Sequence, residues 1–338
     1  MSRSGLNRRS ALTTLTMVLA AEAADLDVLW ALKGPIANFH HHRGITHSFA
    51  GAPFVAATTL GFVWLLCRWR KDDGSPRIQR SRLPVRWGYL YWMALIAALS
   101  HILLDYTTAY GIRMFAPFDR RWYSWDIVFI VEPVILVALI AGLVLPSLFG
   151  LINQEIGARS KGPQGRVGAI FALVCLLAVW GYRDYQHRRA LNAMSALLYK
   201  GSVPLKMGAY PYWVNPFRWH GVVETEAFLQ TAQVNSMAPS VDEQGEAYYK
   251  PEETPVTQAA KASYLGRVYM DWAVFPMTQT EQWPGDRKEY LVRFQDLRFS
   301  YPEMRGRGTL GGWVLLGLDL RVQDEGMNSK PPPVEENP

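Results

Sequence analysis

Seven histidines and a small set of aspartates bound the chemistry open to this 338-residue chain. His101 and Asp105 stand four apart, which puts both side chains on one helix face, a turn from each other. They fall within Trp87–Tyr106, which is otherwise apolar apart from Ser100. Ionisable groups inside such a run are costly and generally mark function. A second group is His40-His41-His42-Arg43-Gly44-Ile45-Thr46-His47, where Arg43-Gly44 can turn the chain between His42 and His47. Asp25-Leu26-Asp27 is a third, and Asp126 stands alone. Imidazole and carboxylate together suit zinc, manganese or iron. Each group has an ordinary reading when taken singly. Asp-x-Asp can be a solvated turn or a helix cap, the histidine run incidental, and His101 a buried side chain bonded to a neighbouring helix. The argument rests on the set. Asp25, Asp27, His42, His47, His101 and Asp105 are the expected ligands of one or two divalent ions, zinc foremost. Asp126 is expected as a ligand or general base, and Arg43 as a clamp for an anionic group, because a guanidinium suits phosphate.

The elements that must position these residues are hydrophobic. Phe49–Leu66, Trp87–Tyr106, Ile127–Phe149 (interrupted by Glu132-Pro133) and Val167–Tyr182 read as membrane helices, against a requirement of about 20 apolar residues. A fifth stretch, Ala11–Ala24, has two readings. It is a further span, or, with Arg8-Arg9 before it and Ala21-Glu22-Ala23 at its end, a signal peptide. Both readings deliver Asp25 to the outer face. Charge agrees with a membrane domain. Residues 1–183 carry 19 Lys/Arg against 10 Asp/Glu, whereas the remainder carries 16 against 19. A basic excess confined to the apolar half is the pattern of loops between spans, and it argues against a nucleic-acid partner. The loops Arg68–Arg86 and Leu151–Arg166 and the N-terminus, with Arg3, Arg8 and Arg9, are therefore expected in the cytoplasm. Asp25–Ser48, Thr107–Trp125 and everything after Tyr182 then lie outside, although Arg113, Arg120, Arg121, Arg183, Arg188 and Arg189 oppose this assignment. In this threading all the candidate ligands come near one face of the bilayer. Cys67 and Cys175 lie in apolar runs and fit neither a disulfide framework nor a zinc motif.

The second half changes character. Asp184–Tyr199 reads as a helical stalk. Alternation over Tyr290–Gln295 and Trp313–Val322 predicts strands, and Val222–Val234 is rich in β-forming residues. Val234–Pro255 reads as a long loop and Met327–Pro338 as a disordered tail. The aromatic clusters at Tyr210–Trp213 and Phe217–His220 read as packing, with a ligand- or headgroup-facing surface as the rival. His187 and His220 lack a carboxylate at ligand spacing and read as surface or packing residues. The expected fold is an α-helical membrane bundle of four or five spans (1–183), a β-rich, α+β soluble domain (184–326) and a tail (327–338).

Four motifs, Ala24-Asp25-Leu26-Asp27, His42-Arg43-Gly44-Ile45-Thr46-His47-Ser48, Ser100-His101-Ile102-Leu103-Leu104-Asp105 and Trp125-Asp126, carry a family likeness, to which Thr107–Phe118 adds. Over residues 6–185 the chain resembles the YdjM-like family of inner-membrane proteins, held to be metal-dependent hydrolases. Asn215-Pro216-Phe217 and Asp296-Leu297-Arg298-Phe299 resemble the tail of its longer members. At the level of the site, the His-x-x-x-Asp helix with an upstream Asp and His is distantly similar to zinc-dependent phospholipase C and related single-strand nucleases. The resemblance implies a multi-pass inner-membrane hydrolase acting on a phosphoester or lipid-related substrate, with the bilayer as its partner. The chain departs from the family at two places. The family's Thr-His segment falls ahead of Met1, so the ligand set is completed upstream or is one ligand short, and Ala24 stands where Pro is common. A second reading is a non-enzymatic metal-binding membrane protein, a transporter or envelope assembly factor. Its ligands would line a path through the bilayer rather than gather at one face.

Overall fold

The structure, a computed structural model, describes residues 1–72, 83–155, 165–242, 245–283, 289–304 and 310–331. The basic loops at Arg68–Arg86 and Leu151–Arg166 and the tail Met327–Pro338 lie largely outside the described residues. In chain order the helices are α1 (Thr13–Glu22), α2 (Pro35–His41), α3 (Ala52–Asp72), α4 (Trp87–Tyr106), α5 (Pro133–Glu155), α6 (Arg166–Ser195), α7 (Pro255–Ala262) and α8 (Tyr264–Trp272). The strands are β1 (Lys206–Pro211), β2 (Arg218–Glu224), β3 (Phe228–Asn235), β4 (Ser240–Asp242), β5 (Ala247–Tyr249), β6 (Pro276–Gln282), β7 (Tyr290–Asp296), β8 (Gly312–Leu316) and β9 (Val322–Met327). The chain divides into two units. The first comprises Met1–Asp27 and Arg43–Tyr185, the second Val28–His42 and Gln186–Pro338.

The first unit is helical, and its burial is the reverse of a water-soluble bundle. On α3 the small residues Ala52 and Ala56 turn inward, while Phe54, Phe62 and Leu65 are exposed. α1, α3 and α4 meet through Met17, Ala20, Ala56, Met93, Ala94 and Ala97. Small residues at the seam let backbones approach, which is how helices pack when the surrounding solvent is itself apolar. α5 and α6 use the same device at Gly142 and Gly168, where a Cβ on either would collide with the other's carbonyl oxygen. Among the described residues three helices are long and apolar enough to cross a membrane, within Ala52–Trp69, Trp87–Tyr106 and Arg166–Ser195. One of the expected spans comes out shorter, α1 having 10 residues, whereas α5 runs for 23 residues and its described side chains form the apolar stretch Pro133–Pro146. At about 1.5 Å per residue α1 extends roughly 15 Å, half the thickness of a hydrocarbon core. The stalk and the last expected span form one helix, α6, of 30 residues. Near its middle the buried pair Arg183–Glu132 (2.6 Å) matches an ionised group on α6 to one at the mouth of α5.

The second unit contains two antiparallel sheets. β1-β2-β3-β4 form one, with β5 also pairing β3, and β6-β7-β8-β9 form the other. Ala190 and Met194 of α6 pack on the first sheet with Trp219, Val223, Phe228 and Val234. Phe39 of α2 packs edge-on against Trp272 of α8, with ring centroids 4.9 Å apart. Two expected features change here. The alternating run Trp313–Val322 is not one strand but β8, a turn and β9. Gly317 N–H donates to Arg321 O, Asp319 Oδ1 accepts from Arg321 N–H, and Leu320 takes a left-handed φ of 61°. Period-2 alternation carries no information about where the chain reverses. The expected loop Val234–Pro255 contains β4 and β5. Of the aromatic clusters, Tyr210, Tyr212 and Trp219 are buried and serve packing, whereas Trp213 is exposed. α7 and α8 open on side-chain caps, Thr254 accepting from Thr257 N–H and Ser263 from Gly266 N–H.

Candidate metal centre

α4 carries His101 and Asp105 on one face, the turn below Thr107. Ile102 between them is buried among Ala52, Val55 and Ala98, which fixes the rotation of the helix about its axis. His47 arrives from a compact turn. Ile45–His47 is a short 3₁₀ segment, the Ser48 hydroxyl donates to Ile45 O and accepts from Gly51 N–H, and a Cβ on Gly51 would strike Ile45 O. The glycine is therefore required for the approach that buries His47 completely. Asp25 follows directly on α1, just past Ala23 and Ala24.

These four side chains converge. His47 Nε2 stands 3.2 Å from Asp25 Oδ1, 3.3 Å from His101 Nε2 and 3.4 Å from Asp105 Oδ2. His101 Nε2 stands 3.4 Å from Asp25 Oδ1 and 3.5 Å from Asp105 Oδ2. All four ligand atoms lie within 4.8 Å of one another. A tetrahedral zinc site with bonds of about 2.0–2.1 Å has ligand–ligand edges of about 3.3–3.4 Å. Five of the six edges here thus match the spacing that a tetrahedral ion imposes. Among the described residues, Asp105 Oδ2 is buried and accepts no hydrogen bond. A buried carboxylate oxygen left so calls for a cation. The donor set, two imidazoles and two carboxylates, fits a divalent ion and balances its charge.

The surroundings orient the four. His47 Nδ1 is 3.2 Å from Asp27 Oδ2 and 3.1 Å from Thr46 Oγ1. Asp27 Oδ2 in turn accepts from Arg43 N–H (2.9 Å) and the Thr46 hydroxyl (3.1 Å). A carboxylate behind the far ring nitrogen is the common way to fix a metal-binding imidazole. Burial alone would lower the pKa of His47, but hydrogen bonds to Asp25 and Asp27 and the charges of Asp27 and Asp105 raise it to about 8. The acidic surroundings that hold a proton there would hold a metal cation equally well. Arg43 grips Asp105 from its other side. Its Nη2 donates to Asp105 Oδ1 (2.9 Å), its Nη1 to Thr108 Oγ1 (3.2 Å), and its guanidinium lies 4.8 Å from the Tyr110 ring centroid. The left-handed φ of 57° at Arg43 aims both its amide and its side chain at the site.

The first unit therefore brings together Asp25, Asp27, Arg43, His47, His101 and Asp105. His42 belongs to the second unit, and the four-ligand cluster forms without it. Asp126 also stands outside that cluster, at a left-handed φ of 60° beside Trp125, whose Nε1 donates to Asp184 Oδ1. Thr46, Thr108 and Tyr110 also contribute, and no spacing rule points to them: Thr46 lies within the His42–Ser48 motif, and Thr108 and Tyr110 lie within Thr107–Phe118, where their roles arise from the bend after α4. His220 is buried, its Nε2 2.8 Å from Leu297 O and its ring 4.7 Å from that of Tyr301. Desolvation holds its pKa down at about 4, the mark of a packing residue.

Apolar helices and a His/Asp cluster at the end of one of them define the class, a multi-pass membrane protein with a site able to hold a metal. A family model described as YdjM inner membrane protein matches residues 2–190, more than half of the chain, and the chain belongs to that family. It is also 22% identical over 131 residues to the uncharacterized protein YfhP of Bacillus subtilis (strain 168), a match covering 39% of this chain and 36% of that protein. The chain thus spans about a third of the length of the curated relative it matches. No solved structure matches it significantly.

Proposed function

We propose that this protein is a membrane-bound metal-dependent hydrolase of phosphoester or lipid-related substrates, working at the outer face of the inner membrane with its C-terminal domain outside. The observation that carries the reading is the near-tetrahedral spacing of Asp25, His47, His101 and Asp105 around the unbonded Asp105 Oδ2. A divalent ion held there, zinc by preference, would supply an activated water and polarise the bond to be cleaved. The chain's own residues do the positioning. Asp27 fixes the ring of His47, and Arg43 turns Asp105 so that Oδ2 faces the imidazoles. Asp25 is the most exposed of the four and marks the side of substrate entry. Arg43 also places a positive charge beside the site, where the anionic group of a phosphoester would sit. Asp126 is proposed as general base.

A second reading has its own support. Four protein ligands with no open position is the arrangement of structural zinc sites, which favours a non-enzymatic metal-binding protein. Metal analysis of the purified chain, followed by assays on bis(p-nitrophenyl) phosphate and p-nitrophenyl acetate, separates the two. The hydrolase reading expects bound metal and turnover, both lost in His47→Ala and His101→Ala. Metal without turnover favours the second reading, and full metal content in both variants overturns the site.

A further inference from the structure

α1, α4 and α5, with the N-terminal Met1, Ser2 and Arg3, line an open groove of about 570 Å³ within the first unit. Its walls include Val18 and Ala21 on α1, Ala97 and Ser100 on α4, and Leu143 and Val144 on α5. Lining residues on α1 run from Thr14 to Glu22, about 12 Å at 1.5 Å per residue. The groove follows the two elements that deliver metal ligands. Ser100 immediately precedes His101, and Ala97 lies one turn before His101 on the same helix face. Glu22 closes α1 three residues before Asp25. The end of the groove at Glu22 and Ser100 and the ligand cluster are therefore joined through two backbones. Its walls are almost wholly apolar and it is open to its surroundings, which for a membrane-spanning unit are hydrocarbon. A hydrocarbon chain suits such walls.

We infer that this groove receives an acyl chain of a phosphoester lipid whose headgroup is presented to Asp25 and His101. The inference gives the substrate class of the proposed hydrolase and rests on that reading, but the binding it requires is measurable without catalysis. The probe is a phosphatidate with a diazirine on its acyl chain, mixed into phosphatidylcholine vesicles holding the full-length protein, with crosslinked peptides mapped by mass spectrometry. Crosslinks are expected to concentrate on α1 and α5 around Val18 and Val144. Val18→Trp and Val144→Trp, which fill the groove from opposite walls, should each lower that yield about tenfold. Metal content reports whether each variant is folded, and if one is not, the other carries the test. Crosslinks spread evenly over the outward faces of the spans, Phe54, Phe62 and Leu65 included, would mean annular lipid only and overturn the inference. In hydrolysis assays each variant should lower kcat/KM for a long-chain phosphatidate about tenfold more than for a short-chain one. An equal effect on both overturns the inference and leaves the hydrolase reading standing. Localised crosslinking that the variants abolish, with no phosphoester turned over, sustains the groove and removes the hydrolase reading.

Discussion

At the scale of single residues, the site separates atoms that would hold an ion from atoms that hold the ligands. Asp27 and Arg43 belong to the second kind by their contacts, Asp27 on His47 Nδ1 and Arg43 on Asp105 Oδ1. Removing such an orienting carboxylate usually weakens metal binding about 10–100-fold. Asp27→Asn should do so in a zinc competition titration, and unchanged affinity would remove its orienting role. Protons compete for the same site. Metal binding needs neutral His47, whose pKa without metal is raised to about 8. Affinity should climb about tenfold per pH unit up to about pH 8 and then level off, and a titration flat from pH 6 to 9 would refute this. The metal-free protein should show the opposite trend in thermal melts. A histidine raised above its unfolded value of about 6.5 contributes stability fully below that pH and loses it as pH rises through about 8.

Elements place these atoms through a few close approaches. Gly51 is the tightest, because any Cβ there meets Ile45 O in the turn that delivers His47. Gly51→Ala should therefore lower bound metal as well as stability, read by metal analysis of the folded fraction, and full metal content would show that the turn can relax. Gly142 and Gly168 close the α5–α6 contact in the same way, whereas a Cβ on Gly61 of α3 meets nothing within 4 Å. Gly142→Ala should cost about 1–3 kcal/mol by overpacking, and Gly61→Ala should be neutral or slightly stabilising because alanine favours a helix. Comparable melting temperatures for the two variants would contradict the contact. The helices themselves were largely legible, since their apolar runs are long. The turn between β8 and β9 was not, because Gly317–Arg321 continues the apolar–polar alternation through a chain reversal.

For the whole molecule, orientation is the prediction that matters most. The basic excess of residues 1–183 is the ground for proposing that the second unit lies outside. In a Cys67→Ser, Cys175→Ser background, Ser240→Cys should react with a membrane-impermeant maleimide in intact spheroplasts. Labelling only after lysis would reverse the topology and place the site at the cytoplasmic face. The division into units also holds a feature that sequence could not show. Val28–His42 belongs to the second unit, with Phe39 against Trp272 and Trp30 stacked on His41 at 3.8 Å. A short polar–apolar segment between an Asp-x-Asp and a histidine run reads as a loop, and its packing partner lies more than two hundred residues away.

The sequence by itself determined the apolar helices, the β-rich second half, the family, and the residue types available for a metal site. Hydropathy and the i, i+4 relation of His101 and Asp105 are local properties, so a linear reading captures them. Only the tertiary structure decided which candidates share a point in space. It drew Asp25, His47, His101 and Asp105 to edges of 3.2–3.5 Å. It set Asp27 and Arg43 behind them and left His42 and Asp126 outside the four. Those outcomes turn on a left-handed Arg43, a side-chain-free Gly51 and the rotation of α4 fixed by Ile102. Each depends on contacts between distant segments, which spacing along the chain does not encode.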